Sequence, residues 1–423
     1  LLAAPLVVVS GCGQPTPPAE PPASGEPAAK AAPPTEPAPV AEPTPVAPQT
    51  PAVTDDPQSL QRLADSGAKL THDEQGLVVQ VDWTNAPVGN EALAPLAGLP
   101  HLKSVLLSGT RVTDDGMPEL AKLSTVVNLD LRDCSLTNVA LSHLAGMSGL
   151  KALQLSGKTG ACTIDDDGLA HLAGLVDLKV LALDYLWVSE VGLATLKPLV
   201  NLERLLLAQT LVGDDALALL PQFPKLRQLR LARTQVTGAG LAPLGELPQL
   251  EDLDLSECSQ IFDDGLVHLA GLDQLKRLNL WRVQVTDAGV AHLAGLRNLE
   301  YLNLDNTQFT DAGAEHLAGL TQLTYMHLGS TAISDAGLAH LDSLTRLKDL
   351  VVSRTPVTAE EPHHPDPFVL PEGIEPQPAN KLINRPTLEL YKPSPIAVTG
   401  FAIFWFLVAA LVAFVYWMAQ WGA

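Results

Sequence analysis

The stretch LRNLEYLNLDNTQFTDAGAEHLAGLTQLTYMHLGSTAISDAGLAHLDSL, residues 296–344, states one pattern twice. Leu302 and Leu304 in the first half, and Met326 and Leu328 in the second, alternate with variable residues. That period of two predicts a short strand with one face buried. In TDAGAEHLAGL and SDAGLAHLDSL the apolar residues recur at helical spacing behind a Thr, Ser or Asp cap, which predicts a helix. A strand and a helix together fill each unit of about 24 residues.

Working outward, the same template, L-x-x-L-x-L-x-x-T-x-V-T-D-A-G-L-A-H-L-A-G-L, returns along the chain. LPHLKSVLLSGTRVTDDGMPELAKL and LVNLERLLLAQTLVGDDALALLPQF are two further copies. One anchor residue marks each turn: Val105, Leu129, Leu153, Leu181, Leu205, Leu229, Leu253, Leu278, Leu302, Met326 and Leu350. The intervals are 24 residues, apart from 28 after Leu153 and 25 after Leu253. An atypical turn around Val79 and Val81 is expected to cap the array. A single unit cannot bury its own leucines, so the units must stack into a continuous core.

The pattern resembles the leucine-rich repeat family, in its Thr- or Cys-containing, ribonuclease-inhibitor-like form. The resemblance implies an α/β leucine-rich repeat solenoid, with a parallel β-sheet on the concave face and helices on the convex face. An F-box-like helical region is missing, so ubiquitin-ligase function is not implied.

Proline bounds this array. Of the 35 prolines, fifteen lie between Pro15 and Pro57 and nine between Pro362 and Pro395. Residues 13–58 and 361–395 therefore read as disordered Pro-rich linkers around a repeat domain at 59–360. Residues 1–12 read as a lipoprotein signal segment. Val9-Ser10-Gly11-Cys12 resembles a bacterial lipobox, with Cys12 as the lipidated residue, and the natural start is expected to precede Leu1. Residues 396–419 are uncharged and long enough to cross a hydrocarbon core, so they are expected to form a transmembrane helix. Flanking charge at Lys381, Arg385 and Lys392 favours repeats in the cytoplasm, whereas the lipobox favours the extracytoplasmic side of a bacterial envelope. The lipobox is followed here.

A net charge of −21 argues against a nucleic-acid surface. The SGKTG at Ser156–Gly160 lacks the first glycine of a phosphate loop. Histidines His143, His171, His268, His292, His316 and His340 share one template slot, at the edge of the buried stripe and too widely spaced to share a metal. Acids Asp114, Asp115, Asp214, Asp215, Asp263, Asp264, Asp287, Asp311 and Asp335 are expected to cap their own helices, each separately. Cys134, Cys162 and Cys258 fall in the inward Thr slot and are expected to be buried thiols. A Cys134–Cys162 bridge between adjacent turns is the alternative. Neither a cofactor, a metal nor a catalytic constellation is read from the chain.

The variable strand residues form three columns on the concave face. The first is Arg204, Gln228, Asp252, Arg277, Tyr301 and Tyr325; the second is Leu206, Arg230, Asp254, Asn279, Asn303 and His327. The third is Ala208, Ala232, Ser256, Trp281, Asp305 and Gly329. Arg277, Trp281, Tyr301, Asp305, Tyr325 and His327 are the expected partner-binding residues, because exposed Trp, Tyr and Arg make binding hot spots. The expected function is a non-enzymatic, envelope-anchored scaffold for a protein partner. An accessory subunit of a membrane complex, recruited through 396–419, is the alternative.

Overall fold

The computed structural model describes residues 54–358. Cys12 and its signal segment, the linker 361–395, the span 396–419 and most of the linker 13–58 lie outside the described residues. Within them, the fold starts slightly earlier than the linker boundary at 58. Asp56 caps helix α1 (Pro57–Asp65) by accepting from the Ser59 N–H, and Pro57 stands in its first turn, where no N–H is missed.

Among the described residues thirteen strands form one sheet in strict chain order. They are β1 (Lys69–His72), β2 (Val78–Asp82), β3 (Ser104–Leu106), β4 (Asn128–Asp130), β5 (Ala152–Ser156), β6 (Val180–Asp184) and β7 (Arg204–Leu206). After them come β8 (Gln228–Arg230), β9 (Asp252–Asp254), β10 (Arg277–Asn279), β11 (Tyr301–Asn303), β12 (Tyr325–His327) and β13 (Asp349–Val351). Strand β1 is antiparallel to β2, and β2 opens a run of parallel neighbours. The atypical first turn is thus a cap: α1 and β1 cover the end of the core, and the Trp83 indole, 1% exposed, donates to the Ser66 hydroxyl.

The anchor residues are in register from Val105 to Leu350, and each is 3% exposed or less. Three residues beyond most strands the chain turns through a left-handed residue, among them Gln209, Arg233, Glu257, Arg282 and Asn306, with φ between 54° and 59°. Each such residue donates its N–H to the next turn, as Gln209 does to the Ala232 carbonyl at 2.7 Å. Hydrogen bonding between turns therefore continues past the strand, which offsets the cost of the unusual backbone.

The convex segments are shorter and tighter than the expected helices. Several are α-helical for four to seven residues, and others, including Ala239–Glu246 and Asp263–Leu269, are 3-10 helices. A turn of 24 residues leaves little chain for the return, and the longer rise of a 3-10 helix spans it with fewer residues. Pro243, inside the first of these, also removes a donor from an α-helical ladder.

The inward Thr slot behaves as a chemical unit. Thr210, Thr234, Thr307 and Thr331 each donate their hydroxyl to the carbonyl three residues before. Cys134 and Cys258 point their thiols at the Leu107 and Leu231 carbonyls, at 3.1 and 3.0 Å. Cys134, Cys162 and Cys258 are buried, free thiols, so Cys134 and Cys162 are not bridged. Burial raises all three, Cys162 to about 11.

The acid ladder corrects the capping expectation. Asp114, Asp214, Asp263, Asp287, Asp311 and Asp335 accept the backbone N–H and the hydroxyl of the Thr or Ser that starts the following turn. Thr137, Ser189, Thr286, Thr310 and Ser334 are the caps of their own helices. The aspartates therefore join neighbouring turns instead of acting separately. Asp115, Asp215 and Asp264 are exposed beside them. Some steps differ, and in one of them Gly238 stands in the Asp position and Phe262 in the Thr position. There the backbones close up, so that a Cβ on Gly265 would lie 2.6 Å from the Gly238 Cα.

Candidate functional site on the open sheet face

The parallel register fixes which side chains meet on the open face. Arg277, Tyr301 and Tyr325 are direct neighbours on β10, β11 and β12. The Arg277 guanidinium carbon lies 4.1 Å from the Tyr301 ring centroid. Tyr301 and Tyr325 stack with centroids 4.6 Å apart and planes 5° from parallel. Strand spacing is about 4.8 Å, so flat groups in one column stack face to face almost unavoidably. The three form one pile of planar groups. Burial in it raises both tyrosine hydroxyls above their ordinary value.

Salt bridges lock the ground beside the pile. Arg277 Nε is 3.5 Å from Asp252, while Arg230 reaches Asp254 at 3.3 Å on the next turn and Asp184 at 3.1 Å two turns back. Ala208, on the turn between Asp184 and Arg230, is small and 2% exposed. Burial raises the Asp184 carboxyl, and Asp252 likewise. A second row alternates in sign: Lys179 pairs with Glu203, and Glu251 pairs with both Arg227 and Lys276. Glu203, Arg227, Glu251 and Lys276 border a hollow of about 310 Å³ that reaches Arg277, next to one of about 260 Å³ that runs from Leu206 to Tyr301. Such paired charges hold shape more than they add stability.

The remaining expected residues lie on the same face. Trp281 is half-buried, with the Arg282 guanidinium 5.7 Å from its ring. His327 Nδ1 is 3.9 Å from Asp305 and accepts the Gly329 N–H at 3.3 Å. Burial lowers His327 against the opposing pull of Asp305. A Cβ at 329 would lie 2.8 Å from the His327 ring, so any residue larger than the glycine there requires that ring to shift. The third column differs from expectation, because Ala208, Ala232 and Ser256 are buried and form a floor instead of a contact surface.

Elsewhere, His143, His171, His292, His316 and His340 are exposed on the convex side, with His268 half-buried. Among the described residues no group of three or more His, Cys, Asp and Glu is placed to hold a metal, and no helix is long and apolar enough to cross a membrane. The SGKTG insertion is a tight loop in which Gly160 donates to the Gly157 carbonyl. A Cβ on Gly157 would lie 2.2 Å from the Tyr185 carbonyl oxygen.

Two features were missed from sequence. The bridge of Arg230 to Asp184 joins residues 46 apart, and no local pattern announces it. Trp187, 64% exposed, lies with Val191 and Leu211 on the helix-start edge. Its signal was available, as a Trp in a slot held by small or polar residues in most turns, with Leu211 in the same slot of the next turn.

Residues 273–333 match the family model described as leucine rich repeat. No curated protein matches the chain. Among solved structures, an internalin of Listeria monocytogenes is 20% identical with a TM-score of 0.52, over 72% of this chain and 91% of that one. A second internalin of the same organism, C2, is 29% identical with a TM-score of 0.38, over 46% and 78%. A leucine-rich repeat protein of Leptospira interrogans is 19% identical with a TM-score of 0.46, over 63% and 70%.

Proposed function

The repeats of this chain are leucine-rich repeats, and on that premise we propose a non-enzymatic scaffold that holds a protein partner on the concave face of its sheet. The single observation that carries the reading is the pile of Arg277, Tyr301 and Tyr325. Stacking holds the three side chains in place before any partner arrives, so little rotamer entropy is lost on binding. Trp281, Asp305 and His327 border the pile with apolar area and hydrogen-bonding groups, and Trp, Tyr and Arg are the residues in which binding energy concentrates.

Two anchors complete the proposal, on sequence grounds. Cys12 carries lipid, and residues 396–419 enter a membrane, with the repeats on the extracytoplasmic side of a bacterial envelope. The uncharged length of 396–419 also supports the second reading, an accessory subunit recruited through that segment.

Site-specific photo-crosslinking in the full chain tests the proposal. A cross-linker at position 325 is expected to trap one defined partner, and one at position 187 is not. Trp281→Ala is expected to weaken that partner by about 2 kcal/mol or more without a change in Tm. Trapping from 187 alone would move recognition to the helix-start edge. A partner retained after deletion of the repeats but lost with 396–419 would favour the subunit.

A further inference from the structure

The first column, read to its end, runs Asp252, Arg277, Tyr301, Tyr325, Asp349 on five successive strands. It carries an acid at each end and two stacked rings in the middle. At one end a guanidinium stands between acid and ring: Arg277 lies 4.1 Å from the Tyr301 centroid and 3.5 Å from Asp252. At the other end Tyr325 is the direct neighbour of Asp349, and among the described residues no guanidinium or ammonium lies over its ring. Since the two rings are 5° from parallel, the second face of Tyr325 is turned toward the strand of Asp349. Asp349 is exposed and makes no ion pair among the described residues. Its side chain is much shorter than a tyrosine, so it does not cover the Tyr325 ring to its full height.

This end of the column is electrostatically incomplete. The face of an aromatic ring carries negative potential, and a carboxylate beside it is unfavourable until a cation intervenes. After burial and Tyr301, the charges of Asp349 and Asp305 are what hold the Tyr325 hydroxyl above its ordinary value. A planar cation suits the gap better than a compact one, because it can stack at the separation Arg277 already adopts and pair sideways with a carboxylate. The net charge of −21 would draw a basic partner toward the face.

We propose that the partner presents an arginine side chain, which slots over the open face of Tyr325 and pairs with Asp349, repeating the arrangement that Arg277 makes at the other end. The proposal rests on the concave-face reading and specifies its partner chemistry.

The test is fluorescence anisotropy of dye-labelled tetra-arginine on the full chain in mild detergent, with tetra-citrulline and tetra-lysine as the neutral and compact comparisons, at about 0.15 M salt. Tetra-arginine is expected to bind about tenfold tighter than tetra-citrulline and more tightly than tetra-lysine. Asp349→Asn and Tyr325→Leu are each expected to lower that affinity about fivefold or more, and Asp342→Asn, an equal loss of charge on the exposed helix side, less than about twofold. Asp349→Arg fills the slot from within and is expected to abolish binding while Tm is kept. Wild-type affinity in Asp349→Asn and Asp349→Arg overturns the proposal, as does equal loss in Asp342→Asn. Loss in Trp281→Ala with none in Asp349→Asn overturns the slot but leaves the concave reading standing. Loss confined to the double change Asp115→Asn and Asp215→Asn overturns both.

Discussion

Asp287 holds Thr310 by two bonds, accepting its backbone N–H at 2.8 Å and its hydroxyl at 2.5 Å, while Thr310 caps the helix that follows. The same hydroxyl accepts the Ala312 N–H at 3.3 Å. One threonine therefore starts a helix and ties it to the previous turn, and an aspartate 23 residues earlier decides its orientation. Repetition of the pair along the array makes each turn a support for the next.

Loss of that carboxylate should therefore be felt well beyond a surface residue. Asp287→Ala leaves a partly buried N–H unpaired and is expected to cost about 1 to 2 kcal/mol in urea unfolding, against no measurable change for the exposed Asp115→Ala. For Asp311, burial tends to raise the carboxyl, but the Ser334 hydroxyl and N–H outweigh it and hold the group below its ordinary value. A depressed folded value means stability that is present above the ordinary carboxylate range and lost as pH falls through the folded value. Asp311→Asn should accordingly flatten the acid limb of the stability curve below about pH 4. An unaltered limb would show that the clamp carries no charge-dependent stability.

The clamp also explains the glycine of the D-A-G triplet. A Cβ on Gly313 would lie 2.3 Å from the Asp287 carboxylate oxygen and 2.6 Å from the Phe309 ring. Gly313→Ala is expected to cost about 1 to 3 kcal/mol, as overpacking does. Combined with Asp287→Ala, the total should fall short of the sum, since the missing carboxylate frees part of the space. Strict additivity in the double-mutant cycle would count against the contact.

The fold was legible because its signal is periodic. Leu278, Leu302 and Met326 recur at fixed intervals, and stacking alone can bury them. The clamp was not legible, because an aspartate at a helix start looks the same whether it caps its own turn or reaches the next. The pile of Arg277 on Tyr301 followed from strand register, a one-dimensional rule. Burial of Ala208 and Ala232 did not, since small residues on a strand face look the same whether larger neighbours cover them or not.

Inward and outward strand positions should separate cleanly in stability. Leu255, fully buried, is expected to lose about 2 to 5 kcal/mol on change to Ala. Its neighbour Asp254 pairs with Arg230 at 3.3 Å on the open face, and Asp254→Ala should cost no more than about 1 kcal/mol. Chemical unfolding of the two variants checks this. Equal losses would contradict the assignment of faces on which the whole concave column rests.

The thiols offer a test that joins the core to the proposed N-terminal anchor. Cys134, Cys162 and Cys258 are buried, and burial raises each, Cys162 to about 11. Only a thiolate attacks a disulfide reagent, so at a pH near 8 these groups are doubly protected, by access and by protonation. In the native chain their reaction should be at least about a hundredfold slower than after unfolding in urea. Rapid native reaction of any of the three, assigned by peptide mapping, would contradict the packing of the Thr slot. The fourth cysteine, Cys12, carries no free thiol if it is joined to lipid through a thioether. The urea-unfolded chain, isolated from its own membrane, is then expected to release colour for three thiols. A count of four shows Cys12 free and removes the lipid anchor from the proposed function, while leaving the repeat core and its open face untouched.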